Sequence, residues 1–335
     1  AVRDVIALRD PVGEVIGGRK RPNGLDITEV RVPLGVVGII YEARPNVTVD
    51  AAALCIKSGN ACILRGSRTA IESNTVLARL IRGALADAGL PGDAVQLVED
   101  TSRESVGELM KMRGTVDVLI PRGGAELIRS VVEGSSVPVI ETGVGNCHVY
   151  VDAAADVSKA IPIVINAKTH RPSVCNAAES LLVHRAIADD VMPKIIEELS
   201  ARGVEIRGDE ATRSYSDAVV PATEEDYRTE FLDLTISAKI VGTLDEAIEH
   251  VNTHGTLHTE AIVTEDYSAA QRFAAEVDAA CVMINASTRF ADGGEFGLGA
   301  EIGISTQKLH ARGPFALEAL TTSKYVVRGS GQVRE

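Results

Sequence analysis

The chain has 335 residues, 45% of them hydrophobic and 24% charged, with a formal net charge of -13 at pH 7. That length exceeds what one hydrophobic core usually serves, so two domains with appendages are expected, and the acidic balance argues against nucleic acid and anionic membrane surfaces as partners. Only 3% of residues are aromatic and none is Trp, so packing must rest on Val, Ile, Leu and Ala, the usual filling of parallel sheets covered by helices in an α/β fold.

In chain order, residues 10–32 come first and hold Pro-Val-Gly, Gly17-Gly18 and Asn23-Gly24. Both glycine-containing pairs are good hairpin turns, and the stretch reads as a projecting β-ribbon. From 36 to 143, β-rich runs alternate with helical patterns: strands at 35–41, 62–65, 95–98, 116–120 and 138–141, helices at 48–58, 71–88, 103–112 and 125–133. Such alternation makes a doubly wound parallel sheet whose ligands lie at the carboxyl ends of the strands. A second α/β set follows, with helices at 161–168, 188–202, 244–252 and 268–277 and strands at 180–183, 238–241, 261–264 and 281–285. The final β-run, 324–328, needs a partner strand and is a candidate for subunit contact.

The five cysteines, Cys55, Cys62, Cys147, Cys175 and Cys281, show no Cys-x-x-Cys spacing. An odd, scattered set fits a reducing, cytoplasmic setting better than a disulfide framework. No apolar run is long enough to span a bilayer, Ala-Val-Arg-Asp is not a signal peptide, and the first residue is not Met, which puts the natural start elsewhere.

The sharpest local signal is His170-Arg171-Pro172-Ser173-Val174-Cys175-Asn176. A free thiol is only about 3% thiolate at neutral pH, and lowering its pKa by about two units makes it mostly thiolate. His170 and Arg171 offer the positive environment, and Pro172 keeps a regular helix from running through, so Cys175 is presented on a turn. The alternative is a small buried hydrophobe, which is the expectation for the other four cysteines. At Arg65-Gly66-Ser67-Arg68 a buried strand ends in basic residues and a hydroxyl, at the place where an adenosine ribose lies in a doubly wound sheet. Arg there suits the 2′-phosphate of NADP, although a solvated strand end is the competing reading. Arg122-Gly123-Gly124 precedes a helix whose amides could meet a phosphate or a nicotinamide. No Gly-x-Gly-x-x-Gly follows the first strand. His250, His254 and His258 recur every four residues, but Gly255 interrupts the helix and no metal site is expected. Glu224-Glu225-Asp226 reads as a solvated acidic loop.

Longer strings carry a resemblance. The blocks 32–50, 120–124, 166–176, 254–261, 285–294, 305–314 and 317–322 together resemble the gamma-glutamyl phosphate reductase family, the glutamate-5-semialdehyde dehydrogenases of the aldehyde dehydrogenase superfamily. The resemblance covers nearly the whole chain. It implies an aldehyde dehydrogenase-like α/β fold with an NADPH-binding domain at 1–12 and 32–143, a catalytic domain at 144–312 and a β oligomerisation arm from 13–31 and 313–335. It also implies a mode of dinucleotide binding without the glycine fingerprint.

Carried onto this sequence, the family nucleophile is Cys175, attacking the acyl phosphate of L-glutamyl 5-phosphate, with NADPH reducing the thioester to L-glutamate 5-semialdehyde. The backbone N–H of Cys175 and the side chain of Asn46 are the implied oxyanion donors. Arg65, Ser67 and Arg68 fall at the ribose position, beside Arg122, Gly123 and Gly124, and Glu230 matches the acid that holds the nicotinamide ribose. Glu141 matches the base that activates water in oxidising relatives, a step an acyl phosphate reductase does not need. Arg44, His170 and Arg171 suit the phosphate, and Ser287, Thr288 and Arg289 the amino acid end of the substrate. A homo-oligomer, dimer or tetramer, and functional coupling to glutamate 5-kinase are implied as well. The chain departs from the family pattern by lacking several tens of leading residues and by a short stretch at 203–221. The competing readings are an aldehyde dehydrogenase that makes a free carboxylic acid, a cysteine hydrolase or acyltransferase needing no nicotinamide, and a non-catalytic dinucleotide-binding scaffold.

Overall fold

The computed structural model describes residues 2–334 and divides into two compact units. The first runs up to Thr142 and takes in Gly293–Gly303 and the chain from Gln307 onward; the second holds Gly143–Asp292 and Ile304–Thr306.

The first unit opens with α1 (Val2–Ala7) and a hairpin of β1 (Val15–Lys20) and β2 (Asp26–Pro33). The hairpin turn is made at Asn23-Gly24, where Gly24 takes φ 88. Gly17-Gly18, the other expected turn, lies inside β1, which is bulged between Val15 and Gly17. The C-terminal strand Thr321–Arg328 pairs antiparallel with β2 from Thr321↔Pro33 to Arg328↔Asp26, so the terminal β-run has its partner within the chain.

The parallel sheet of this unit contains β3 (Val36–Tyr41), β4 (Ala61–Arg65), β5 (Val95–Leu97) and β6 (Val118–Arg122) in the order β5-β4-β3-β6. Crossovers are α2 (Pro45–Lys57), α3 (Ile71–Asp87), α4 (Arg103–Leu109) and α5 (Ala125–Gly134). Because β3 has neighbours on both sides and helices over both faces, it is a nearly continuous apolar run, with Val37 and Ile39 fully buried. The fifth strand expected at 138–141 is reduced to an isolated bridge between Val139 and Leu119. Pro138 has no N–H to give to a ladder there, although its carbonyl accepts from Leu119.

The second unit is a seven-stranded sheet, wholly parallel, of β7 (Cys147–Val151), β8 (Ala178–His184), β9 (Glu205–Gly208), β10 (Val220–Pro221), β11 (Thr235–Val241), β12 (Thr259–Val263) and β13 (Cys281–Ile284). Its order is β10-β9-β11-β8-β7-β12-β13. The helices are α6 (Val157–Thr169), α7 (Ala188–Ala201), α8 (Glu210–Arg213), α9 (Leu244–His254) and α10 (Tyr267–Glu276). α6 starts at Val157, ahead of the expected 161, because the Asp156 carboxylate accepts the Ser158 N–H and caps it. The short stretch 203–221 still folds into β9, α8 and β10. β9 escapes sequence reading because it is only partly buried and carries Glu205 and Arg207. Two apolar clusters fill this unit, one under α6 and α7 with Val164 and Ile195, the other under α9 and α10 with Val251 and Phe273. Among the described residues no helix is long and apolar enough to cross a membrane.

Candidate active site

In the second unit, α6 ends at Thr169 and β8 starts at Ala178; Cys175 lies on the turn between them, half-buried, whereas the other four cysteines are buried. The Cys175 peptide is held from below. Gly145 lies so close that a Cβ there would stand 1.4 Å from the Cys175 carbonyl oxygen, so only glycine fits. The Cys147 thiol donates to the same carbonyl at 3.2 Å. Burial first, then Glu260, Cys175 and Glu179, push the Cys147 thiol well above its ordinary pKa, so it stays protonated and able to donate. On the next residue, the Asn176 amide donates to the Ala291 carbonyl at 2.9 Å, tying the turn to the segment after β13.

That segment carries Ser287, Thr288 and Arg289. Asn285 adopts φ 54 and locks its side chain to both the N–H and the carbonyl of Thr264, which reverses the chain after β13. Ser287 caps the short turn by accepting the Arg289 N–H, and Thr288 is fully buried. Arg289 reaches His170, its Nε donating to Nδ1 at 3.3 Å. Burial lowers the pKa of this guanidinium, while Asp292 and Cys175 raise it, so Arg289 lies in the electrostatic field of the Cys175 sulfur. His170 and Arg171 are both exposed.

Glu230 precedes β11 and accepts the Gly145 N–H at 2.7 Å. Burial raises its pKa, against lowering by Gly145 and His258. The histidines spaced every four residues are divided at Gly255: His250 and His254 stand on α9, which ends there, and His258 belongs to the approach to β12. His250 packs against His148, Tyr227 and His254. Beside them the buried pair His148 and Glu260 is joined at 2.9 Å. Among the described residues no group of three or more His, Cys, Asp or Glu can hold a metal.

In the first unit the candidate residues stand at the carboxyl ends of strands. Arg65 ends β4 and is buried, its Nη2 donating to the Ser102 carbonyl at 2.6 Å and its Nε to Ser105 at 3.3 Å; burial lowers its pKa. Ser67 pairs with Thr69 at 2.8 Å, and Arg68 is exposed. Arg122 ends β6, followed by Gly123 and Gly124 at the start of α5. The Gly124 N–H is already occupied by Glu42 Oε2 at 2.9 Å, a carboxylate at the positive end of the helix. Arg44 stands at the N-terminal boundary of α2 and is exposed, and Asn46 in the first turn of the helix donates to Asp50 at 3.2 Å. The half-buried Glu141 donates its N–H to Gln307 at 3.0 Å.

The second unit thus brings together Cys175 with Glu230, through Gly145, and His170 with Arg289; the first gathers Arg65, Ser67 and Arg68 at one strand end. Sequence reading passed over Gly145, Glu42 and a fully buried ion pair, Lys168 with Glu179, at 2.5 Å, and took Cys147 only as a buried hydrophobe. A lone Glu in the apolar run of β8 was the available signal for that pair. The acidic loop at 224–226 also differs from expectation: Asp226 is buried and accepts from Arg207 and Thr223.

Comparison with known proteins agrees with this architecture. The aldehyde dehydrogenase family model matches residues 7–216. The gamma-glutamyl phosphate reductase of Thermobifida fusca is 63% identical over 334 residues, which is 100% of this chain and 80% of that protein. Its counterpart in Clostridium acetobutylicum is 60% identical over 329 residues, 98% of this chain and 79% of that one. The crystal structure of the Thermotoga maritima gamma-glutamyl phosphate reductase matches with a TM-score of 0.97 at 55% identity, covering 99% of this chain and 80% of that chain. The chain therefore belongs to the gamma-glutamyl phosphate reductases of the aldehyde dehydrogenase family and is an oxidoreductase.

Proposed function

We propose that this chain reduces L-glutamyl 5-phosphate to L-glutamate 5-semialdehyde and phosphate with NADPH, the second step of proline biosynthesis, using Cys175 as nucleophile. The observation that carries the reading is the half-buried sulfur on a turn that Cys147 and Asn176 hold in place, Asn176 tying it to the segment that carries Arg289. A cation there stabilises the thiolate over the thiol. The thiolate attacks the acyl carbonyl, the carbon–oxygen bond to phosphate breaks, and a thioester forms on Cys175. Bound NADPH supplies the hydride that reduces this thioester. Hydride addition leaves a thiohemiacetal oxyanion on Cys175; as its carbonyl re-forms the carbon–sulfur bond breaks, and the aldehyde leaves with the thiolate restored. The Cys175 N–H is the backbone oxyanion donor and Asn46 the proposed side-chain donor; Arg44, His170 and Arg171 take the phosphate, and Ser287, Thr288 and Arg289 the amino acid end.

For the cofactor, the fit is uneven along the chain. Arg68 is exposed at the end of β4 and suits a 2′-phosphate, whereas Arg65 is committed to the Ser102 turn and shapes the strand end. Arg122, Gly123 and Gly124 can serve an anion once Glu42 gives up the Gly124 N–H. Glu230 is the acid for the nicotinamide ribose, and Glu141 is auxiliary. On this reading the first unit holds the cofactor, the second the chemistry, and the ribbon with the C-terminal strand assembles a cytoplasmic homo-oligomer coupled to glutamate 5-kinase.

The test runs the reaction backwards. NADP reduction by glutamate semialdehyde is expected to require phosphate, to favour NADP over NAD, and to fall by about three orders of magnitude or more in Cys175→Ser, given the usual loss on removing a nucleophile. Equal oxidation without phosphate would instead indicate an aldehyde dehydrogenase that forms the free acid.

A further inference from the structure

Lys168 and Glu179 are the strongest feature that the proposed chemistry leaves unused. Lys168 lies in the last turn of α6 and Glu179 at the start of β8, so the pair brackets the loop that carries His170, Arg171, Cys175 and Asn176. Both side chains are 0% exposed, with Nζ and Oε2 2.5 Å apart. The second carboxylate oxygen, Oε1, accepts the N–H of Leu232 at 3.1 Å. Leu232 takes φ 55, a backbone conformation that a branched residue holds only when its surroundings impose it. Two residues earlier stands Glu230, gripping Gly145, whose backbone underlies the Cys175 peptide.

Resting on the function proposed above, we infer that the buried Lys168–Glu179 pair is the positioning element of the site: one carboxylate closes the base of the nucleophile loop and fixes the turn that carries Glu230. The two oxygens divide the work. Oε2, through Lys168, sets the loop that presents the sulfur; Oε1, through Leu232, sets the acid that receives the cofactor ribose. A buried ion pair is poor evidence of stabilisation in itself, since an apolar pair of similar volume often serves as well. Its place at the two ends of the Cys175 loop is what a geometric role accounts for. Burial lifts the Glu179 carboxyl to about 7 and lowers Lys168, and in each case the partner opposes the shift.

Removing one partner would strand a buried charge, so the test uses neutral double variants in the full chain. Lys168→Met with Glu179→Leu removes both ties; Lys168→Met with Glu179→Gln keeps an acceptor for Leu232 and removes only the tie to the loop. Cys175 alkylation by iodoacetamide, NADPH affinity by calorimetry, and the split of KM for NADPH from kcat are measured on each. The first variant is expected to alkylate about tenfold more slowly and to bind NADPH about tenfold more weakly, below the roughly hundredfold that a full 1 Å misplacement can cost. The second is expected to recover NADPH affinity to within about threefold while its alkylation stays slow. Wild-type alkylation and NADPH affinity in the first variant would overturn the inference. If that variant fails to fold, wild-type alkylation in the second overturns it equally. Alkylation needs no cofactor, so a wild-type chain that binds no NADPH defeats the proposed function while leaving the clamp on Cys175 to be judged by its own rate.

Discussion

The two units carry their candidate residues at opposite ends of parallel strands. In the first, Arg65 and Arg122 end β4 and β6, and Glu42 and Arg44 follow β3. In the second, Gly145 precedes β7, Cys175 precedes β8, Glu230 precedes β11 and His258 precedes β12, so the candidate residues gather at the amino ends. The rule that places ligands at carboxyl ends describes the first arrangement and not the second. Surroundings differ too. Arg44, Asn46 and Arg68 are exposed, whereas the residues behind Cys175 form a dry polar bed in which Lys168, Glu179, His148 and Glu260 are nearly or fully buried. A buried polar bed ties function to folding, because each group must keep its partner; an exposed strand end does not.

The sharpest way to break this contrast is Gly145→Ala. With 1.4 Å to the Cys175 carbonyl oxygen, a methyl group must displace the Cys175 turn. Turnover should fall by about a hundredfold or more and stability by about 2–4 kcal/mol, read by steady-state assay and urea unfolding. A variant with normal turnover would show that the close approach is not needed. Arg68→Ala should do the opposite, weakening NADPH binding by about 10- to 100-fold with an unchanged unfolding midpoint. Calorimetry with NADPH and NADH beside a thermal melt measures both, and a large loss of stability would erase the distinction between the units.

The smallest effect concerns acid. Burial first, then His148 and His254, push the His250 pKa from 6.5 to about 2. Its folded value is depressed, so the unfolded chain takes a proton near 6.5 that the folded chain refuses; the stability from keeping it neutral is complete above that pH and declines below it. This group contributes a slope of at most about 1.4 kcal/mol per pH unit. His250→Leu should flatten urea midpoints between pH 7 and 5, and an unchanged slope would remove His250 as the source.

The first sheet was legible because β3, β4 and β6 are short apolar runs between amphipathic helices, and their ends carry the arginines that a strand-end rule singles out. The Cys175 turn was legible from His170 through Asn176, since Pro172 rules out a continuous helix and the thiol stands among polar residues. β7 was harder to see, with Cys147 and His148 at its start, and Gly145 looked like any loop glycine. The missing strand at 138–141 shows the reverse: the β pattern was present, but Pro138 lacks the donor that a ladder requires.

From residue order alone came the α/β class, the family, and Cys175 as the candidate nucleophile, because periodicity, turn chemistry and motif strings are local properties. Tertiary structure decided which groups are partnered: that Arg65 serves the Ser102 turn, that Glu42 occupies the start of α5, and that Lys168 and Glu179 meet beneath Cys175. Partners distant in sequence are chosen by packing and desolvation, and those forces act only once the strands have been brought side by side.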